Sequence, residues 1–379
     1  MKRLLCVFLC FLLLTPLALG QEEPVVPYPV PEGGTEIVLT FGGDSTLGSE
    51  DYLWEEATSF ISLVNQNGYA YPFEKLYPLF STDDVTIVNL EGAFYDSTSG
   101  RVTKTYNFRA PTEFAKILPM GSVEAVMLGN NHTIDYGQPG FDSTIAALEK
   151  ERVDWFVDSN EANKTWIYEK NGIKIGFAGY YIGYWRANIA KVRASLQALR
   201  DAGCATIIGS MHGGSEYAQK HNNHQALMAD TFLQYGASVV IGHHPHVVQG
   251  MEIKNNASVF YSLGNLSFGG NKRIKEMADT ALVTQVRLIF DKDKQYLGHQ
   301  MTIYPIHPSG TFTQVNDYRP ILASGEEAQR IMGLMQADTP HALAPYVEGK
   351  GALQPFVPAP PPLPGPPDPM DLHIIMEPM

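Results

Sequence analysis

Short apolar runs recur through the middle of the chain, and most are followed by a stretch whose apolar residues fall three or four apart. Glu36–Phe41 (EIVLTF) and Val85–Leu90 (VTIVNL) read as strands. Val123–Leu128 is another, followed by Pro139–Lys150, where Phe141, Ile145 and Leu148 share one helical face. Ile173–Ala178 precedes a helix over Ala190–Asp201, and Ala205–Ile208 precedes one over Gln219–Tyr235, before a further strand at Ser238–Ile241. Strands alternating with helices predict α/β layering with a largely parallel sheet. The later runs Ser258–Ser262 and Ala281–Phe290 have no helix between them and predict an antiparallel part. A two-sheet sandwich flanked by helices accommodates both.

The two ends break this pattern. Residues 1–20 carry Lys2 and Arg3, then an apolar run from Leu4 to Leu14, then small residues at Ala18 and Gly20, which predicts a cleaved signal peptide and an extracytoplasmic, envelope-associated protein. The run is shorter than the roughly 20 residues a spanning helix needs, so no stable membrane anchor is expected. Residues 21–34 read as a proline-rich linker, 35–310 as the main domain, 311–354 as a C-terminal extension and 355–379 as an exposed proline-rich tail. Cys6 and Cys10 fall in the leader, leaving Cys204 without a partner for a disulfide. The formal charge is −13 and grows more negative once Lys2 and Arg3 are gone. That balance argues against nucleic acid and anionic membrane surfaces as partners. Nothing in the sequence sets the oligomeric state.

Residues able to hold a metal follow the C-terminal ends of the predicted strands. Asp44 comes after EIVLTF, Glu91 after VTIVNL, Asn130, Asn131 and His132 after AVMLG, His212 after ATIIGSM, and His243, His244 and His246 after SVVIG. In an open α/β sheet these ends line one crevice, so five distant segments are expected to converge. Taken singly, each has a plainer use: Asp44 or Glu91 as a turn former or cap, the asparagines as turn residues, His132 as a core imidazole, His212 as a strand end before a Gly-Gly turn. Three imidazoles in the four residues His243–His246 are harder to assign to packing. Together, carboxylates, an amide and imidazoles suit one or two divalent ions such as manganese, iron or zinc. A bridging carboxylate, Glu91 or Asp44, would offset repulsion between two ions, and His132 is placed to protonate a leaving group.

The pieces FGGDSTLG, VNLEGAF, FRAP, GNNHTIDYGQPGFDSTIAAL, MHGGSEY, VVIGHHPHVVQGMEI and VFYSLGNLSF, between about Glu36 and Phe268, resemble the poly-γ-glutamate capsule-synthesis protein (CapA) family of the calcineurin-like metallophosphoesterases. The resemblance implies a four-layer αββα double β-sandwich with a dinuclear site at the strand ends. It implies Asp44, Glu91, Asn131, His212, His244 and His246 as metal ligands and His132 as the catalytic histidine oriented by Asp135, with Arg109 and Glu216 shaping the substrate pocket. A histidine expected two residues after Asp44 is Thr46 here. An arginine common at the end of the first motif is Ser49, and a tryptophan after the fourth-motif histidine is Gly213. Two functions fit: a hydrolase of a phosphoester or amide in an anionic envelope polymer, using a metal-bound hydroxide, or a non-catalytic assembly or export factor that binds the polymer.

Overall fold

The computed structural model describes residues 24–270, 279–313 and 315–362. The predicted signal peptide lies outside them. Parallel strands Thr35–Ser45, Val85–Leu90, Ala125–Met127 and Asp154–Asp158 form one half of a sheet, which Ala281–Phe290 and Tyr296–His307 extend in antiparallel sense. The other half orders Ile173–Tyr181, Thr206–His212, Ala237–His243 and Ala257–Phe260 in parallel, with Met251–Lys254 antiparallel at its edge. Among the described residues the halves join through one residue pair, Asp158 with Tyr180, and the sheet curls there.

Alternation along the strands sorts side chains into layers, because successive residues point to opposite faces. Leu39, Phe41, Ile87 and Met127 of one half share a core with Ile175, Phe177, Ile208 and Ile241 of the other. Their neighbours Val88, Leu90 and Val126 point outward to Phe60, Phe141 and Leu148, on helices Phe60–Asn67 and Gly137–Lys150. On the opposite outer face, Tyr180, Ile207 and Val240 meet Val192 and Leu196 of helix Ile189–Asp201 and Phe232 of helix Asn223–Leu233. Helix, sheet, sheet, helix is the four-layer α/β sandwich the pattern predicts.

The run expected to be antiparallel at Ser258–Ser262 instead pairs in parallel with Ala237–His243 and is antiparallel only to the edge strand Met251–Lys254. Other differences from expectation lie at element ends. The helix expected from Gln219 begins at Asn223 because Asn222 caps it: its Oδ1 accepts from the His224 and Gln225 backbone N–H groups (3.0 and 3.2 Å), and Gln225 Oε1 accepts from the Asn222 N–H (3.1 Å). The proline-rich ends are engaged where they are described. Tyr28 stacks on Phe356 at 3.7 Å, Gln300 bonds the backbone at Val26 and Tyr28, and Val357 pairs with His299 at the sheet edge. A boundary expected at Pro355 therefore cuts through ordered sheet. The pairing is possible because Phe356 and Val357 supply apolar side chains between the prolines.

At the seam, Asp158 is buried, takes a hydrogen bond from Ser195 Oγ (3.0 Å), and has its second oxygen unpaired. Burial pushes its carboxyl from the ordinary 3.8 up to about 7. A carboxyl whose pKa is raised on folding favours the fold below its unfolded pKa and loses that contribution as pH rises through the folded value. Its contribution to stability is therefore expected to fade between about pH 4 and 7, and Asp158→Asn to remove that part of the pH dependence. Thermal melts should show the variant gaining on wild type as pH rises; a pH-independent difference would contradict the assignment.

Candidate metal centre

Glycine sets the geometry of the first strand's end. The register with Val85–Leu90 shifts between Phe41 and Asp44, and a Cβ on Gly43 would stand 2.0 Å from the Gly264 carbonyl oxygen. This close approach lets the Asp44 backbone N–H bond Gly264 and turns its side chain inward. His244 and His246 both adopt positive φ (98° and 58°) around Pro245, an uncommon backbone for non-glycine residues that brings both imidazoles back over the strand ends.

Asp44 and Glu91 are fully buried and share a donor that sequence reasoning missed. Asn89 Nδ2 donates to Asp44 Oδ1 (2.8 Å) and Glu91 Oε1 (2.9 Å) and lies 3.1 Å from His212 Nδ1. The orientation of this amide follows from a chain of bonds ending on backbone. Asn130 Oδ1 accepts from the His132 N–H (2.9 Å), so Asn130 Nδ2 must donate, to the Leu90 carbonyl (2.7 Å) and to Asn89 Oδ1 (3.0 Å). Asn89 consequently presents its NH₂ to the carboxylates. Its only sequence signal is a polar residue within an apolar strand, two places before Glu91.

The remaining predicted residues close around this pair. Asn131 Oδ1 lies 2.8 Å from His212 Nε2, and His246 Nδ1 stands 3.1 Å from Asp44 Oδ2 and 2.9 Å from Asn265 Oδ1. His243, left out by the resemblance, sits 3.2 Å from Asp44 Oδ1. Ligand atoms of Asp44, Glu91 and His212 all lie within 4.8 Å of one another, as do those of Glu216, His244 and His246. His132 Nδ1 lies 2.8 Å from Asp135 Oδ2, while its Nε2 faces Glu91 at 3.9 Å. Lys104, which carries no sequence signal, pairs with Asp135 and donates to the Asn131 carbonyl (2.9 Å). Arg109 is committed elsewhere, to Asp51 (2.5 Å), the Tyr95 carbonyl (3.0 Å) and the Trp54 ring (3.9 Å).

Electrostatics fit a cation site. Burial works to raise the Asp44 carboxyl, but hydrogen bonds from His243 and His246 outweigh it and hold the group well below the usual range. Burial, then the neighbouring Asp44 charge, pushes Glu91 well above it. Burial, reinforced by the adjacent imidazoles, holds His212 well below its ordinary value and His244 at about 4, so both present neutral nitrogens. Glu91 Oε2 and His244 Nδ1 are buried without hydrogen-bond partners. Unpaired buried carboxylate and imidazole atoms of this type are what a divalent cation satisfies.

Beside Asn130 and Asn131 opens a cavity of about 260 Å³, also lined by Asp158, Tyr181 and Tyr184. The neighbouring aromatics Tyr180 and Trp185 pack instead: Tyr180 stacks on Phe232 and Trp185 donates to Thr231 (3.0 Å). Asn265, which begins a glycosylation triplet, is fully buried and cannot carry a glycan.

Residues 38–269 match the family described as "Bacterial capsule synthesis protein PGA_cap". The chain is 25% identical over 282 residues to "Capsule biosynthesis protein CapA" of Bacillus anthracis, covering 68% of this chain and 66% of that one. It is 26% identical over 225 residues to "PGA biosynthesis protein CapA" of Bacillus subtilis (strain 168), covering 54% and 59%. It thus spans somewhat less than two thirds of each relative. Among solved structures, the NAD nucleotidase NadN of Haemophilus influenzae aligns with a TM-score of 0.41 at 12% identity, over 80% of this chain and 63% of that one.

The Asn89 amide gives a direct test of this arrangement. Asn89→Ala leaves two buried carboxylate oxygens without their common donor and is expected to destabilise the metal-free protein by about 2–3 kcal/mol. Chemical denaturation measures the change; a loss within error would show that the amide does not clamp the pair.

Proposed function

This chain belongs to the bacterial capsule synthesis protein (PGA_cap) family, and we propose that it is a metal-dependent hydrolase acting outside the cytoplasm. Its substrate in this reading is a phosphoester or amide bond of an anionic envelope polymer such as poly-γ-glutamate. The observation that carries the reading is the meeting of Asp44, Glu91 and His212, from three strand ends, with ligand atoms within 4.8 Å. A divalent cation held there would polarise a phosphoryl or carbonyl oxygen and acidify water. The names of the Bacillus relatives support the polymer assignment, and the charged, apolar and small-residue order of the first twenty positions supports export.

In this mechanism Asp44, Glu91, Asn131, His212, His244 and His246 would hold the metal ions. The Asp135 carboxylate accepts a hydrogen bond from His132 Nδ1, with Lys104 balancing its charge, so His132 Nε2 is left facing the site. From there it holds or delivers a proton to the leaving group. Phe108 packs on the His132 ring at 4.6 Å and limits its rotation.

One observation favours the non-catalytic reading. Thr46, where the resemblance expects a histidine, is 2% exposed; its hydroxyl donates to the Gly48 carbonyl (2.9 Å) and accepts from the Gly269 N–H (2.7 Å). It offers no free ligand atom. Metal analysis of the purified protein, with hydrolysis of phosphodiester and γ-glutamyl amide probes with and without manganese, separates the readings. His132→Ala is expected to lower turnover by at least about 10²-fold with metal content unchanged. Metal-free protein that retains polymer without hydrolysing it would favour the binding factor.

A further inference from the structure

The position emptied by Thr46 raises the question of what completes the second half of the site. The loop after strand Thr206–His212 runs Gly213-Gly214-Ser215-Glu216-Tyr217. Gly214 has φ +125°, and a Cβ there would stand 2.8 Å from the Gln225 side chain, so the chain passes where only glycine fits. The Tyr217 N–H then donates to the Pro245 carbonyl (2.8 Å), fastening this loop to the His243–His246 turn. That bond sets the neighbouring Glu216 carboxylate within 4.8 Å of ligand nitrogens of both His244 and His246.

We propose that Glu216 is a metal ligand and not a pocket wall: with His244 and His246 it forms a cation position beside the Asp44, Glu91 and His212 set, taking the place of the histidine absent at residue 46. The inference rests on the metal reading given above. Both imidazoles are prepared for the role. His246 Nδ1 faces Asn265 Oδ1 and Asp44 Oδ2, leaving Nε2 for a cation, and His244 Nδ1 is buried without a partner. Exchanging a neutral imidazole for a carboxylate also changes the charge of the site. Asp44, Glu91 and Glu216 carry three negative charges against four on two divalent cations. The centre keeps one positive charge, which suits an anionic substrate group despite the acidic surface of the protein. Carboxylate in place of imidazole shifts preference from zinc toward manganese.

Equilibrium dialysis of the EDTA-stripped full chain against Mn²⁺, with metal counted by mass spectrometry, tests this. Wild type is expected to bind two equivalents. Glu216→Gln should keep one and hold the second at least tenfold more weakly. Glu216→His should restore the second site with zinc favoured over manganese. Glu216 is exposed, so metal-free Glu216→Gln should melt as wild type does, which separates ligand loss from misfolding. Unchanged stoichiometry and affinity in Glu216→Gln overturns the assignment while leaving the metal reading intact. Wild-type protein that binds no manganese overturns both.

Discussion

The constraint on which the architecture turns is the burial of two carboxylates, Asp44 and Glu91, against one amide. Burying like charges together is costly unless they are hydrogen-bonded and neutralised. Asn89 supplies a donor to each, and His243 and His246 bring imidazoles to Asp44. The arrangement still leaves Glu91 Oε2 unpaired in the interior. A fold selected for stability alone would place apolar residues there. Retaining the cluster makes sense where a cation completes it.

The surrounding structure is organised to hold that cluster. Parallel strands deliver their C-terminal ends to one crevice, and glycines at 43 and 214 let backbone pass where side chains could not. Asn130 and Asn89 transmit the fixed direction of a backbone N–H and carbonyl to the carboxylates. The hydrogen-bonded chain of Lys104, Asp135 and His132 approaches from the Asn131 side, and His132 Nε2 faces Glu91 at 3.9 Å.

The layers and the convergence of the strand ends were legible in the sequence because both follow from periodicity. Alternation decides which side chains face the shared core, and a polar residue at the end of an apolar run marks the crevice. Asn89 and Lys104 were not legible. The first looks like an isolated polar interruption of a strand, and the second lies in a loop whose path depends on tertiary contacts. The proline-rich ends misled for a related reason. Composition predicts extended backbone, but an extended segment can still dock on a sheet edge, as Val357 does beside His299.

Anomalous diffraction from crystals grown with zinc, or at the manganese edge, measures the central claim most directly. The account predicts a peak among Asp44, Glu91 and His212, at carboxylate distances of about 2.0–2.2 Å for zinc. Ions bound elsewhere on the molecule, with no density at that triad, would contradict it.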